Sequence, residues 1–275
     1  MKKRIHSHSS LSTFEQCPQK YKYRYIEKIK PEFKMSIEAH LGKSVHDTLE
    51  WIYNSVINEN KTPKAEEIIN YYSQRWIDTL DEDMKKVNNF LSEKDYFNKG
   101  VQFLMNYYTK YSPFKDGTLE CEKRILINLD GHQLQGFIDR LVFNEKKNEI
   151  EIHDYKTGNF LPSREQIEQD RQLALYSIAI QELFGGDKKI CLTWHYLAHN
   201  QKICLYKTQK QIEQLKNQLI ELIKKIESTE HFPHYVSKLC DWCEYKYACP
   251  AWGNKLKEKQ AKLKDKEIEN LEIWD

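Results

Sequence analysis

The chain has 275 residues, 40% of them hydrophobic and 31% charged, with a formal net charge of only +2. That balance suits a soluble globular protein with a real core: no run approaches the ~18 apolar residues of a membrane span, and any basic surface for nucleic acid must be local. Seven cysteines behind a basic start without an apolar core (Met1-Lys2-Lys3-Arg4) argue against export and a disulfide framework, and for a cytoplasmic protein that uses clustered cysteines as metal ligands.

In chain order, residues 10–29 read as a helix capped by Ser10 or Ser12, carrying Cys17, Pro18 and the run Tyr21-Lys22-Tyr23-Arg24-Tyr25. A second helix covers 41–57 and holds His46, with Glu50 one turn later to orient the ring. Residues 54–118 form a helical insertion, amphipathic and rich in aromatics from 63 to 111. A strand at 119–129 meets one at 132–144 across Asp130-Gly131, a strong hairpin turn. A third strand, 149–155, follows the polar loop Glu145-Lys146-Lys147-Asn148. Ser163 and Gln166 make a capping box that opens a helix to 184, ended by Gly185-Gly186. Strands at 189–198 and 202–207 precede a helix at 209–227. A cysteine segment (231–253) and a charged helical tail (254–275) close the chain. The order predicts an α/β fold: one domain over 1–275, with a mixed central sheet flanked by helices.

Register locates the chemistry. Pairing Asn144 with Glu149 sets Phe143 opposite Ile150, Leu141 opposite Ile152 and Asp139 opposite Asp154. The two apolar pairs fix this register, because a one-residue slip would send them to opposite faces. Two carboxylates facing each other beside an apolar face repel and lose hydration. A hard cation with oxygen ligands would relieve them, and Lys156, on the same face, would orient water or stabilise phosphate charge. The plainer alternative is a salt bridge from Asp139 to Arg140 or Lys156. Gln172 and Tyr176, four apart, share one face of the next helix. They read as phosphate contacts beside the metal, or as a half-buried polar pair.

Cys240, Cys243 and Cys249 stand within ten residues, too dense for packing alone. Cys17, also followed by proline, is the best fourth ligand. Four thiolates suit zinc or an iron–sulfur cluster, and His231 and His234 keep a mixed zinc site open. Cys121, Cys191 and Cys204 lie in strands and read as buried small side chains.

Together these stretches resemble the PD-(D/E)XK nuclease superfamily, specifically its RecB-type exonuclease branch with a C-terminal cysteine cluster. The segment from Ser10 to Pro18 resembles the family's opening, Gly42 to Glu50 its histidine motif, Gly136 to Arg140 its first carboxylate motif, Asp154-Tyr155-Lys156 its catalytic strand and Gln172 to Tyr176 its QxxxY motif. The resemblance implies a restriction-endonuclease-like fold and a DNA nuclease, with an exonuclease favoured over an endonuclease. Such an enzyme would act on single strands or ends in recombination, repair or phage- or CRISPR-type processing. His46, Asp139, Asp154 and the Tyr155 carbonyl would hold Mg²⁺ or Mn²⁺, Lys156 would assist the water, and Gln172 and Tyr176 would support substrate and lysine. Cys17, Cys240, Cys243 and Cys249 would hold a [4Fe–4S] cluster that staples the terminal regions together, with structural zinc as the alternative. A glutamate of the first strand sometimes contributes in this family, and Glu120 and Glu122 both qualify. A DNA-binding subunit recruiting a helicase or other DNA-processing protein is the alternative from another class.

Overall fold

The computed structural model describes residues 4–253 apart from 82–83, 88–89 and 186–187. The tail expected at 254–275 and Gly186 lie outside the described residues. The first helix is broken where proline dictates. α1 (His8–Gln16) stops at Cys17, whose φ of −162° and ψ of 104° are extended, and α2 (Pro18–Tyr21) restarts at the proline, passing into a π-helical turn (Lys22–Glu27). A residue before proline is pushed out of the helical region. The expected single helix over 10–29 is therefore interrupted at the cysteine meant to be a ligand.

α3 (Ile37–Glu59) begins at Ser36, whose side chain accepts from the Ala39 amide, and ends at Asn60 in the left-handed region. The aromatic insertion folds as two helices, α4 (Ala65–Thr79) and α5 (Glu93–Tyr111), the latter opened by a Ser92/Asp95 capping box. With α3 they bury one apolar cluster that includes Tyr53, Tyr72, Trp76 and Tyr107.

The other core surrounds a six-stranded sheet: β1 (Ile5–Ser7), β2 (Thr118–Leu129), β3 (His132–Asn144), β4 (Glu149–Lys156), β5 (Lys189–Tyr196) and β6 (Gln201–Tyr206). β1 is a three-residue strand absent from the sequence reading. β3 and β4 pair in the expected register, with Phe143 against Ile150 and Leu141 against Ile152, but the ladder stops at Arg140 and His153. β2 occupies one edge of β3 almost throughout. The opposite edge is shared by β1, at residues 133–135, and β4, at 140–144. Residues 136–139 fall in the notch between them. β4 and β5 are parallel, so α6 (Arg164–Glu168) and α7 (Gln172–Phe184) form the crossover. The helix expected as one from Ser163 is thus two, parted at 169–171. α8 (Gln209–Ser228) buries Leu219, Ile223 and Ile226 in the same core.

Arg140 points away from Asp139 and is 1% exposed, so the alternative salt bridge between them does not form. Its guanidinium donates to Asp116 (2.5 Å), Tyr155 Oη (2.8 Å), Thr118 (2.9 Å) and His153 Nδ1 (2.7 Å), and lies over the Tyr53 ring. A guanidinium can only donate. His153 Nδ1 therefore accepts, and its Nε2 donates to Glu151 at 2.9 Å. Burial, then the Arg140 charge, drives the His153 pKa well below its ordinary value.

One cysteine expectation fails. Cys191 and Cys204, expected as buried small side chains in a chain without a disulfide framework, are joined as a disulfide across β5 and β6 with Cα atoms 6.1 Å apart. The strand pairing sets Cys191 opposite Tyr206 and Cys204 opposite Thr193, so the two lie diagonally across the ladder.

Candidate active site

The notch in β3 collects the expected residues from four elements. Asp139 lies at its end, and its Oδ2 accepts the Tyr155 amide at 2.8 Å, taking the place of the missing ladder bond. His46, on α3, meets the same strand end. Its Nε2 is 2.9 Å from the Tyr155 carbonyl, which can only accept. Nε2 therefore carries the proton, and Nδ1 turns its lone pair toward Asp139 Oδ2 at 3.4 Å. Gly42, one turn earlier, lets α3 come this close: a Cβ there would stand 3.1 Å from Thr157 Oγ1.

The choice between the two glutamates is made by the backbone. Glu120 points outward to Lys123. Glu122 lies between the Cys121–Arg140 and Lys123–Ile138 pairs, across from Asp139, with φ of +47°. A left-handed non-glycine residue inside a strand is uncommon, and such strain concentrates at functional sites. Ligand atoms of His46, Glu122 and Asp139 lie within 4.8 Å of one another. One neutral imidazole nitrogen and two carboxylates, all acceptors, have the chemistry of a divalent cation site.

Burial, then the Asp154 charge, raises the Asp139 pKa far above the usual carboxylate range. Burial and then Asp139 push Glu122 up to about 7. Burial lowers His46 and keeps it neutral. A cation between them would reverse the carboxylate shifts.

Asp154 belongs to the adjoining row. Its Oδ2 is 2.8 Å from Lys156 Nζ, an ion pair without hydrogen-bond alignment. Burial works against the Lys156 charge, but Asp154 outweighs it and the pKa rises. Nζ donates to Gln172 Oε1 at 2.9 Å, and Gln172 Nε2 reaches Tyr176 Oη at 3.4 Å. Asp170, which the sequence reading passed over, accepts the Gln172 amide at 2.8 Å and starts α7 there. An aspartate just before a helical run is a capping signal.

Tyr176 lies against Gly136, where a Cβ would meet Tyr176 Cε1 at 2.4 Å. Gly136→Ala is therefore expected to displace Tyr176, loosen the Gln172–Lys156 contact and lower the cleavage rate roughly tenfold or more, since small misplacements near the chemistry are costly. Divalent metal affinity should be unchanged, because no residue of the acceptor trio moves. Calorimetric titration with Mn²⁺ beside a cleavage assay checks both.

The four cysteines meet at the far end of the chain contacts. Cys17, Cys240, Cys243 and Cys249 are free and line one pocket with Lys20, His234 and Trp252. His231 does not line it. Burial raises the Cys243 and Cys249 thiols. The surrounding backbone joins the terminal regions: the Glu32 amide donates to the Glu244 carbonyl (2.9 Å), Tyr23 Oη to the Ala248 carbonyl (2.9 Å), and Lys20 pairs with Glu244 (2.8 Å). Cys121 stands apart on β2, its thiol pushed by burial up to about 12.

Among the described residues, no helix is long and apolar enough to cross a membrane. No curated protein matches the chain. A crystal structure from Eubacterium rectale, described provisionally as an exonuclease, is 11% identical, covers 88% of this chain and 87% of its own, and superposes with a TM-score of 0.51. A second, SSO0001, is 15% identical over 89% of this chain and 95% of its own, with a TM-score of 0.37. The family model for the PD-(D/E)XK nuclease superfamily matches residues 6–250. With a six-stranded mixed sheet between helices, and a notch that gathers acceptors for a divalent metal, the chain belongs to the PD-(D/E)XK nuclease superfamily.

Proposed function

We propose that the chain is a RecB-like, divalent-metal-dependent deoxyribonuclease that acts on single-stranded DNA or DNA ends, as an exonuclease rather than an endonuclease. The observation that carries this reading is the junction of two rows: the acceptors His46, Glu122 and Asp139, and beside them Asp154, Lys156, Gln172 and Tyr176. Preference for exonuclease action rests on the order of the sequence motifs and on the description of the Eubacterium rectale protein. A divalent cation in the site supplies Lewis acidity and an ionised water. Asp139, with Glu122, His46 and Asp154, would hold it. Lys156, kept charged by Asp154, positions the water and steadies charge on the phosphate, and Gln172 fixes the lysine.

The four-cysteine pocket fits a [4Fe–4S] cluster whose assembly is coupled to folding. Recombination, repair or related DNA processing is the setting this combination suits.

Anaerobically purified protein is expected to shorten end-labelled linear DNA progressively with Mn²⁺ or Mg²⁺ and to leave circles intact. Nicked circles would make it an endonuclease. Binding without products would favour a DNA-binding subunit. Affinity for single-stranded DNA should fall steeply with salt, with a log–log slope of about −0.7 per phosphate neutralised. A flat dependence would speak against a backbone-tracking groove.

A further inference from the structure

At its β1–β3–β2 end the sheet has an uncovered face, and it leads into the notch. On β2 and β3 the side chains of Ile125, Ile127, Leu129, Leu134 and Ile138 are buried in the core. Their neighbours on the opposite face are not covered. Leu126 is 55% exposed and Phe137 49%, and Ile5, on β1, is 43%. The registers put these on one surface: Ile5 beside Gln133, Leu126 beside Gln135, and Arg124 beside Phe137. Arg124 donates to the amide oxygen of Gln135 at 3.2 Å, not to a carboxylate, so its charge is not neutralised there. Further along the two strands, beyond the Arg124–Phe137 pair and at the edge of this surface, come Glu122 on β2 and Asp139 on β3.

We propose that this open face of β1, β3 and β2 is the platform on which a single-stranded DNA lies at the cleavage site, with Phe137 stacking on an unpaired base and Arg124 holding the adjoining phosphate. The inference rests on the nuclease reading and deepens it by naming the surface and the residues that take a single-stranded substrate. Three features favour this occupant over a protein partner. The face is continuous with the acceptor trio, so a strand whose phosphate sits at Asp139 must cross or skirt it. Phe137 is two residues from Asp139 along the strand, roughly 7 Å away, which is the reach of a neighbouring nucleotide. Third, the surface pairs exposed apolar side chains with a cation and amides, the mixture by which single strands are gripped without sequence preference. A paired base in duplex DNA has no free face for Phe137, so the platform discriminates in favour of single strands.

A cycle between protein and substrate tests the assignment. The probes are thymidine oligonucleotides, intact or carrying one abasic residue stepped along the strand from the labelled end. For the parent protein with Mn²⁺, an abasic residue at one position next to the cleaved phosphate should lower kcat/KM by about tenfold, in line with the stacking energy of one base. Phe137→Ala should lower kcat/KM on the intact strand by the same factor and be indifferent to the abasic residue, because both remove one contact. Phe137→Trp should restore the parent pattern. Arg124→Ala should reduce the salt slope by about one phosphate's worth and leave the abasic profile as it was.

Equal rates for the parent and Phe137→Ala on all strands, or losses that simply multiply, would overturn the platform and leave the nuclease reading standing. If the parent does not cut, the nuclease reading fails by itself. Fluorescence anisotropy of the same oligonucleotides with the same variants then decides the platform: a shared loss of affinity supports it and independent losses overturn it.

Discussion

Asp139→Asn is expected to abolish cleavage, by roughly a thousandfold or more, and at the same time to raise the melting temperature of the metal-free protein. The first effect follows from removing a charged oxygen from the acceptor trio. The second follows from burial. The Asp139 pKa is raised in the folded state by desolvation and by Asp154. Below the unfolded carboxylate pKa of about 4, both states hold the proton and the site has no cost. As pH rises from there toward the folded pKa, the unfolded chain releases its proton while the folded one retains it, so stability is lost across that window. Asparagine takes no part in that titration. The gain should therefore be clear at pH 8 in EDTA, roughly 2–4 °C for each kcal/mol relieved, and should vanish near pH 4. Added Mn²⁺ should stabilise the parent by mass action and leave the variant nearly unmoved. A variant less stable than the parent at pH 8 without metal would mean that the hydrogen bond from the Tyr155 amide outweighs the buried charge.

How much of this site was legible beforehand depended on whether one element or several carried the information. The β3–β4 register was readable because Phe143, Leu141, Ile150 and Ile152 leave one arrangement that keeps apolar side chains on one face. What register could not show was where pairing ends. The ladder stops one residue short of the two aspartates, and Asp139 takes the Tyr155 amide that a ladder partner would have held. Glu122 and Glu120 are equivalent in composition, and only the left-handed backbone at Glu122 separates them. β1 was missed because three residues cannot display a period. The Cys17–Pro18 break was readable in principle from the restriction proline places on the residue before it, yet the surrounding helical pattern concealed it. The cluster of Arg140, His153, Tyr107 and Tyr155 draws on elements distant in sequence, so no local pattern announces it.

That buried cluster explains why the notch keeps its shape. The backbone N–H and C=O of Tyr155 face Asp139 and His46, while its phenol oxygen accepts from Arg140 on the other side. A charge so deeply buried is tolerable only when fully hydrogen-bonded, and Arg140 reaches that state only if β2, β3, β4 and α5 are all in place. The catalytic notch is therefore anchored from behind by the most constrained cluster of the protein.

Replacing any one of Cys17, Cys240, Cys243 or Cys249 with alanine is the second large effect. Each variant, prepared without oxygen, should lose the brown colour of an iron–sulfur protein and melt at lower temperature. The four thiols line one pocket although more than two hundred residues separate Cys17 from the other three. Ligation there closes that loop, and ligand-binding free energy counts as folding free energy. Losing even about 3 kcal/mol of it would lower the melting temperature by roughly 6–12 °C. Cleavage should fall with stability, not with metal affinity at Asp139, because the two sites share no residue. Cys121→Ala should keep the colour, since that buried thiol stands alone on β2. Cys191→Ala and Cys204→Ala should keep it too, although each breaks the disulfide between β5 and β6. Colourless parent protein holding one zinc and no iron would replace the cluster with a structural zinc. His234, which lines the same pocket, would then be the residue to test as a ligand, ahead of His231, which does not.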